Sequence, residues 1–118
     1  MIGASAGVSI YFAVGSVDLR CSFDRLAAVA REQLGRDPMS GALFIFAGRR
    51  GRDRVKILFW DRTGYCILYK RFERHAFVVP EIAEGATHIE LTAAQLRALL
   101  TGIEVRGASR RGLAKSRE

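Results

Sequence analysis

Between Leu43 and Phe72 the chain carries three short runs rich in aromatic and branched residues: Leu43-Phe44-Ile45-Phe46, Ile57-Leu58-Phe59-Trp60 and Cys66-Ile67-Leu68-Tyr69. Two glycine-containing polar clusters separate them, a layout that predicts a three-stranded antiparallel meander. The first connection, Gly48-Arg49-Arg50-Gly51-Arg52, is almost entirely basic. The second, Asp61-Arg62-Thr63-Gly64, has Asp to start a turn and Gly to accept the positive φ that ends it. None of the three runs alternates cleanly between apolar and polar residues, so both faces of the sheet are expected to be covered. Helices on either side would supply that cover; a partner surface on part of one face is the alternative.

The flanking segments supply the helices. Val8–Val14, bounded by Gly7 and Gly15, reads as a first strand, with Ser16–Arg20 as a linker. Phe23, Leu26, Ala27, Ala30 and Leu34 then recur at helical spacing. Ser22 is placed to cap that helix, Asp24 to meet its dipole and Gly35 to stop it; a start at Ser16 is the alternative. Asp37-Pro38-Met39-Ser40-Gly41 is a turn, and His75–Pro80 leaves the sheet. Ile89 and Leu91 lead into a second helix that opens on a capping box, Thr92-Ala93-Ala94-Gln95, with Leu91 and Leu96 as a hydrophobic staple. Leu96, Leu99, Leu100 and Ile103 form its buried stripe, and Gly102 is the expected cap. The fold class is therefore α+β: a mainly antiparallel sheet with a central meander, one helix before it and one after. It makes one domain over residues 1–105, and the basic tail at 106–118 is expected to be disordered.

Charge narrows the function. Nineteen Lys and Arg against twelve Asp and Glu give a net charge of +7. That balance points to a polyanionic partner, nucleic acid before an anionic membrane surface. The cations concentrate on the meander, where Arg49, Arg50, Arg52, Arg54, Lys56, Lys70 and Arg71 are the candidate contacts to a phosphate backbone. Arg suits the task because its planar fork holds a pair of phosphate oxygens, and the glycines allow close approach. Trp60, Tyr65 and Tyr69 stand near these cations and are candidates for stacking on unpaired bases, although such aromatics more often pack across strands.

Other chemistries find little in the sequence. Cys21 and Cys66 lie far apart, which favours a reducing compartment and two small core residues over a disulfide or, with His75 and His88, a metal site. Asp61 is the best single carboxylate for metal-dependent phosphoryl transfer, with Asp18, Asp24, Asp37 and Asp53 as companions. No spacing forces any two together, and Asp37, Asp61 and Asp24 have turn or helix-start explanations. No catalytic residue, metal or cofactor is expected. With no secretory leader and no apolar run of membrane-spanning length, a cytoplasmic protein is expected.

The ordered series Asp18-Leu19-Arg20, Phe23-Asp24, Asp37-Pro38-Met39-Ser40-Gly41, Arg49-Arg50-Gly51, Val55–Asp61, Tyr69-Lys70-Arg71 and Leu91–Leu100 resembles a known family. It is the short accessory protein encoded by the second open reading frame of insertion sequence family 66, often called TnpB and distinct from the RNA-guided nuclease of that name. Cys21-Ser22 departs from the Lys-Gly or Lys-Ser usual after the Arg, which removes a positive charge there. The resemblance implies a non-catalytic helper of transposition, working beside a larger transposase that supplies the chemistry. DNA and that transposase are the expected partners. The alternative is an interaction module that docks on the transposase or self-associates without touching DNA.

Overall fold

The computed structural model of the protein describes residues 7–48, 53–73 and 83–101. Five strands form one sheet: β1 (Ile10–Val17), β2 (Leu43–Gly48), β3 (Arg54–Trp60), β4 (Tyr65–Arg71) and β5 (His88–Glu90), in the order β4-β3-β2-β1-β5. Helix α1 (Phe23–Glu32) joins β1 to β2, and α2 (Ala93–Leu100) follows β5. The meander β2-β3-β4 is antiparallel throughout, with Phe44 opposite Leu58 and Leu58 opposite Ile67. The β1–β2 pairing is parallel, which needs a crossover connection, and α1 supplies it. The class is α+β as expected, with a mixed sheet in which the antiparallel pairings dominate.

Both faces are covered because each helix takes one of them. Successive side chains on a strand point to opposite faces, so the unbroken apolar runs split into two sets. Ile10, Phe12, Leu43, Ile45, Val55 and Ile57 pack with Leu91, Leu96 and Leu99 of the α2 region. Tyr11, Phe44, Phe46 and Leu58 pack with Leu26, Ala27 and Ala30 of α1. Each fully buried Leu or Ile contributes on the order of 2 kcal/mol. The α2 start has the expected capping box: the Gln95 N–H donates to Thr92 Oγ1 at 3.1 Å, and the Thr92 N–H donates to Gln95 Oε1 at 2.8 Å.

Four local expectations need correction. Strand β1 does not stop at Gly15 but runs on to Val17; Gly15 adopts φ +84° and the register with β2 shifts between Phe12 and Ser16, the mark of a bulge. The positive φ of the β3–β4 turn falls on Arg62 (φ +88°), not on Gly64, because Asp61 fixes the turn by accepting from the N–H groups of Thr63 and Gly64. Ser22 sits at the N-cap of α1, yet its side chain makes no capping bond. Residues 88–90, expected only as a lead into the helix, pair with β1 as a short edge strand. Gly35 does end α1 in the left-handed region (φ +67°). The segments His75–Pro80, Gly102-Ile103 and the basic tail lie outside the described residues. Among the described residues, no helix is long and apolar enough to cross a membrane.

Candidate functional site

Parallel strands bring their carboxyl ends to the same edge of a sheet, and crossover loops gather there. Here Val17 at the end of β1 lies beside Gly48 at the end of β2. Strand β3 starts at that edge and β4 finishes there, with Arg54 opposite Arg71. A cleft of about 590 Å³ opens between them, lined by Asp18, Leu19 and Arg20 on one side and Asp53, Arg54 and Tyr69 on the other. Gly48 makes the close packing of this edge feasible: a Cβ there would come within 3.2 Å of Leu19 Cδ1.

The loop after β1 is locked by its own charges. The Arg20 guanidinium grips the Asp18 carboxylate with Nε 3.0 Å from both oxygens and Nη2 2.6 Å from one of them. The Arg20 N–H also donates to Asp18 Oδ1 at 3.0 Å, and the Cys21 N–H to the Asp18 carbonyl at 2.9 Å. The hydrogen bond to Asp18, then its charge, raises the Arg20 pKa further, so this cation is permanent. In an exposed position such a pair contributes little stability. Its effect is to hold one guanidinium in a fixed direction at the rim of the cleft.

Strand alternation sorts the sequence-nominated cations. Arg54, Lys56, Tyr69 and Arg71 share the α1 face, since Lys56 stands opposite Tyr69 and Arg54 opposite Arg71. Arg54 and Arg71 are exposed, and Arg71 donates from Nε to Glu73 at 2.7 Å. Lys56 is only 8% exposed. Its ammonium donates to the Cys21 carbonyl at 2.7 Å and stands 4.9 Å from the Tyr69 ring centre. Lys70 lies on the opposite face, where it donates to the Leu100 carbonyl at the end of α2 and stands over the Phe72 ring. Arg49, Arg50 and Arg52 lie outside the described residues, in the segment that joins Gly48 to Asp53.

The nominated cations are thus not all alike: two are exposed at the cleft edge, and two are engaged inside the fold. Tyr69 proves the most accessible of the aromatic candidates, at 51% exposure. Trp60 and Tyr65 instead pack edge-to-face across β3 and β4, with centroids 5.0 Å apart. Charge counting on the meander missed Arg20, which precedes it. The signal that could have drawn attention to it is the strand–helix–strand order, which is compatible with a parallel crossover and a site at the loop leaving β1.

Three of the carboxylates nominated for metal chemistry, Asp18, Asp37 and Asp61, have structural partners. Asp61 Oδ1 accepts from the Thr63 N–H (3.1 Å), the Thr63 hydroxyl (3.0 Å) and the Gly64 N–H (3.0 Å), which pulls its pKa below the ordinary range. Asp37 accepts from the Met39 N–H at 2.9 Å. Among the described residues no three His, Cys, Asp or Glu side chains converge as a metal site would need. Cys21 and Cys66 are unbridged and half-buried. At the opposite edge, Arg36 lies 4.7 Å from the Tyr11 ring centre and 3.5 Å from His88 Nε2. Desolvation first, then the charge of Arg36, lowers the His88 pKa.

The family model described as IS66 Orf2-like protein matches residues 8–110. An uncharacterized protein of Sinorhizobium fredii, y4hO, is 39% identical over 106 residues, which cover 90% of either chain. A second from the same organism, the uncharacterized protein y4jC, is 35% identical over 89 residues and 75% of either chain. No solved structure matches the chain.

Proposed function

The chain belongs to the IS66 Orf2-like family of transposition-associated accessory proteins, and from that premise we propose that it is a non-catalytic DNA-binding factor of its insertion sequence. The observation that carries the reading is the edge where β3 begins and β4 ends. Exposed Arg20, Arg54 and Arg71 stand there, and the basic segment 49–52 leaves from it. Arg54 can offer its planar fork to a phosphate oxygen pair, while Arg20 and Arg71, whose Nε sides are held by Asp18 and Glu73, offer their outer N–H groups; phosphate contacts fix orientation without reading sequence. Arg49, Arg50, Arg52, Arg54 and Arg71 are the proposed contacts, joined by Arg20. Lys56 and Lys70, with backbone carbonyls as partners, support the strands that carry them. The basic residues beyond 106 add affinity of the same unselective kind. The transposase of the same element is the proposed protein partner, and the cytoplasm the place of action.

A salt titration followed by fluorescence anisotropy tests this. With about six phosphate contacts, log K falls against log salt with a slope near −5 on duplex DNA. Replacing Arg49, Arg50 and Arg52 by Ala reduces that slope by roughly 3. Absence of binding at low salt, or an unchanged slope in the triple variant, removes the proposal.

One observation favours a second reading. Among the described residues strand β4 is an edge of the sheet, and its Ile67 and Leu68 are only half-buried. Such an edge can pair with a strand of another chain, either the transposase or a second copy. Capture of the transposase that survives nuclease treatment, by a protein that binds no DNA, favours this reading over the first.

A further inference from the structure

The cleft between the Asp18–Arg20 loop and the β3–β4 strands has features that a plain backbone-binding ridge does not need. It is open to solvent, and its volume, about 590 Å³, is in the size range of small-molecule clefts. Among the described lining residues, the carboxylates of Asp18 and Asp53 stand with the guanidiniums of Arg20 and Arg54. The guanidiniums can hold phosphates, while the carboxylates beside them would repel a phosphate and can accept hydrogen bonds from a neutral, flat group. Tyr69, half-exposed in the lining, supplies an aromatic surface. Lys56 steadies that ring from inside the fold, and the Cys21 carbonyl in turn holds the ammonium. The platform is therefore fixed before any ligand arrives, which lowers the ordering cost of stacking on it.

The geometry points to a specific content, resting on the DNA-binding reading above. We propose that this cleft receives one unpaired nucleobase stacked on Tyr69, with the neighbouring phosphates on Arg20 and Arg54, so that the protein prefers single-stranded or frayed DNA to intact duplex. A base inside a duplex has both faces covered by its neighbours and cannot enter a concave site without leaving the stack. A base in a single strand has already lost that competition, and stacking on an aromatic side chain is tolerant of base identity.

The test compares one fluorescein-labelled oligonucleotide, as a single strand and annealed to its complement, against the full chain and two variants. The single strand is expected to bind more tightly than the duplex. Tyr69→Ala is expected to weaken single-strand binding by about tenfold while leaving the duplex within about twofold, and Tyr69→Phe to retain the preference. Equal affinity for both forms in the unsubstituted protein overturns the inference and leaves duplex binding standing. An equal loss on both forms in Tyr69→Ala, with a lowered melting temperature, also overturns it, because the ring then serves only the fold. Binding to neither form removes the DNA-binding reading and this inference together.

Discussion

Lys56 illustrates how a residue's neighbours decide what its charge is for. In the sequence it is one of a run of cations; in the fold its ammonium satisfies the Cys21 carbonyl beneath the Tyr69 ring. Lys56→Met keeps most of the volume but leaves that carbonyl without its donor. It is expected to lower stability by about 1–3 kcal/mol in urea unfolding. Arg54→Ala, at an exposed position, is expected to change stability by less than about 0.5 kcal/mol and to weaken DNA binding instead. Reversed outcomes would exchange the two roles. The distinction was not legible in the sequence: alternation puts Lys56 on the α1 face, but only the position of Cys21 makes it internal. Arg20 stands out in the sequence within the Asp18-Leu19-Arg20 series, but its place beside the meander depends on β1 and β2 running parallel.

Elements with strong local chemistry were read correctly. The meander followed from three apolar runs between turn clusters, and the α2 start from a capping box that needs only four residues. Strand β5 was not legible because three residues carry no periodicity and its pairing to β1 spans most of the chain. The β3–β4 turn shows a finer failure. Glycine was the expected bearer of the positive φ, but the hydrogen bonds to Asp61 fix the chain so that Arg62 takes it.

The same turn predicts a pH dependence. Bonds from Thr63 first, with Cys66 and Gly64 adding to them, hold the Asp61 pKa below its ordinary value of 3.8. A carboxyl with a lowered native pKa stabilises the fold fully above the unfolded value. That contribution is lost as pH falls through the lowered native one. Asp61→Asn is therefore expected to melt at a lower temperature than the unsubstituted protein above about pH 4.5, the gap closing as pH falls below the ordinary carboxylate range. A constant gap across that range would show that Asp61 acts through shape rather than charge.

At the scale of the whole molecule, the sheet is closed by sequence-distant partners. Strand β1 lies between β2 on one side and β5 on the other, with Phe12 opposite both Ile45 and Ile89. Beyond β5, Leu91, Leu96 and Leu99 complete the core of one face. Losing three such residues costs about 2–5 kcal/mol each, comparable to the entire stability of an ordinary domain. A chain ending at Ala86 is therefore expected to lose cooperative unfolding in circular dichroism; a sharp transition in that fragment would contradict the assignment of β5 and α2 to the core. During synthesis, the earliest strand must wait, one flank bare, until the ribosome has delivered residues made some seventy-five positions later. A message cut short or shifted in frame would thus leave an unsealed product for proteases to find, so completeness of translation becomes a condition for survival.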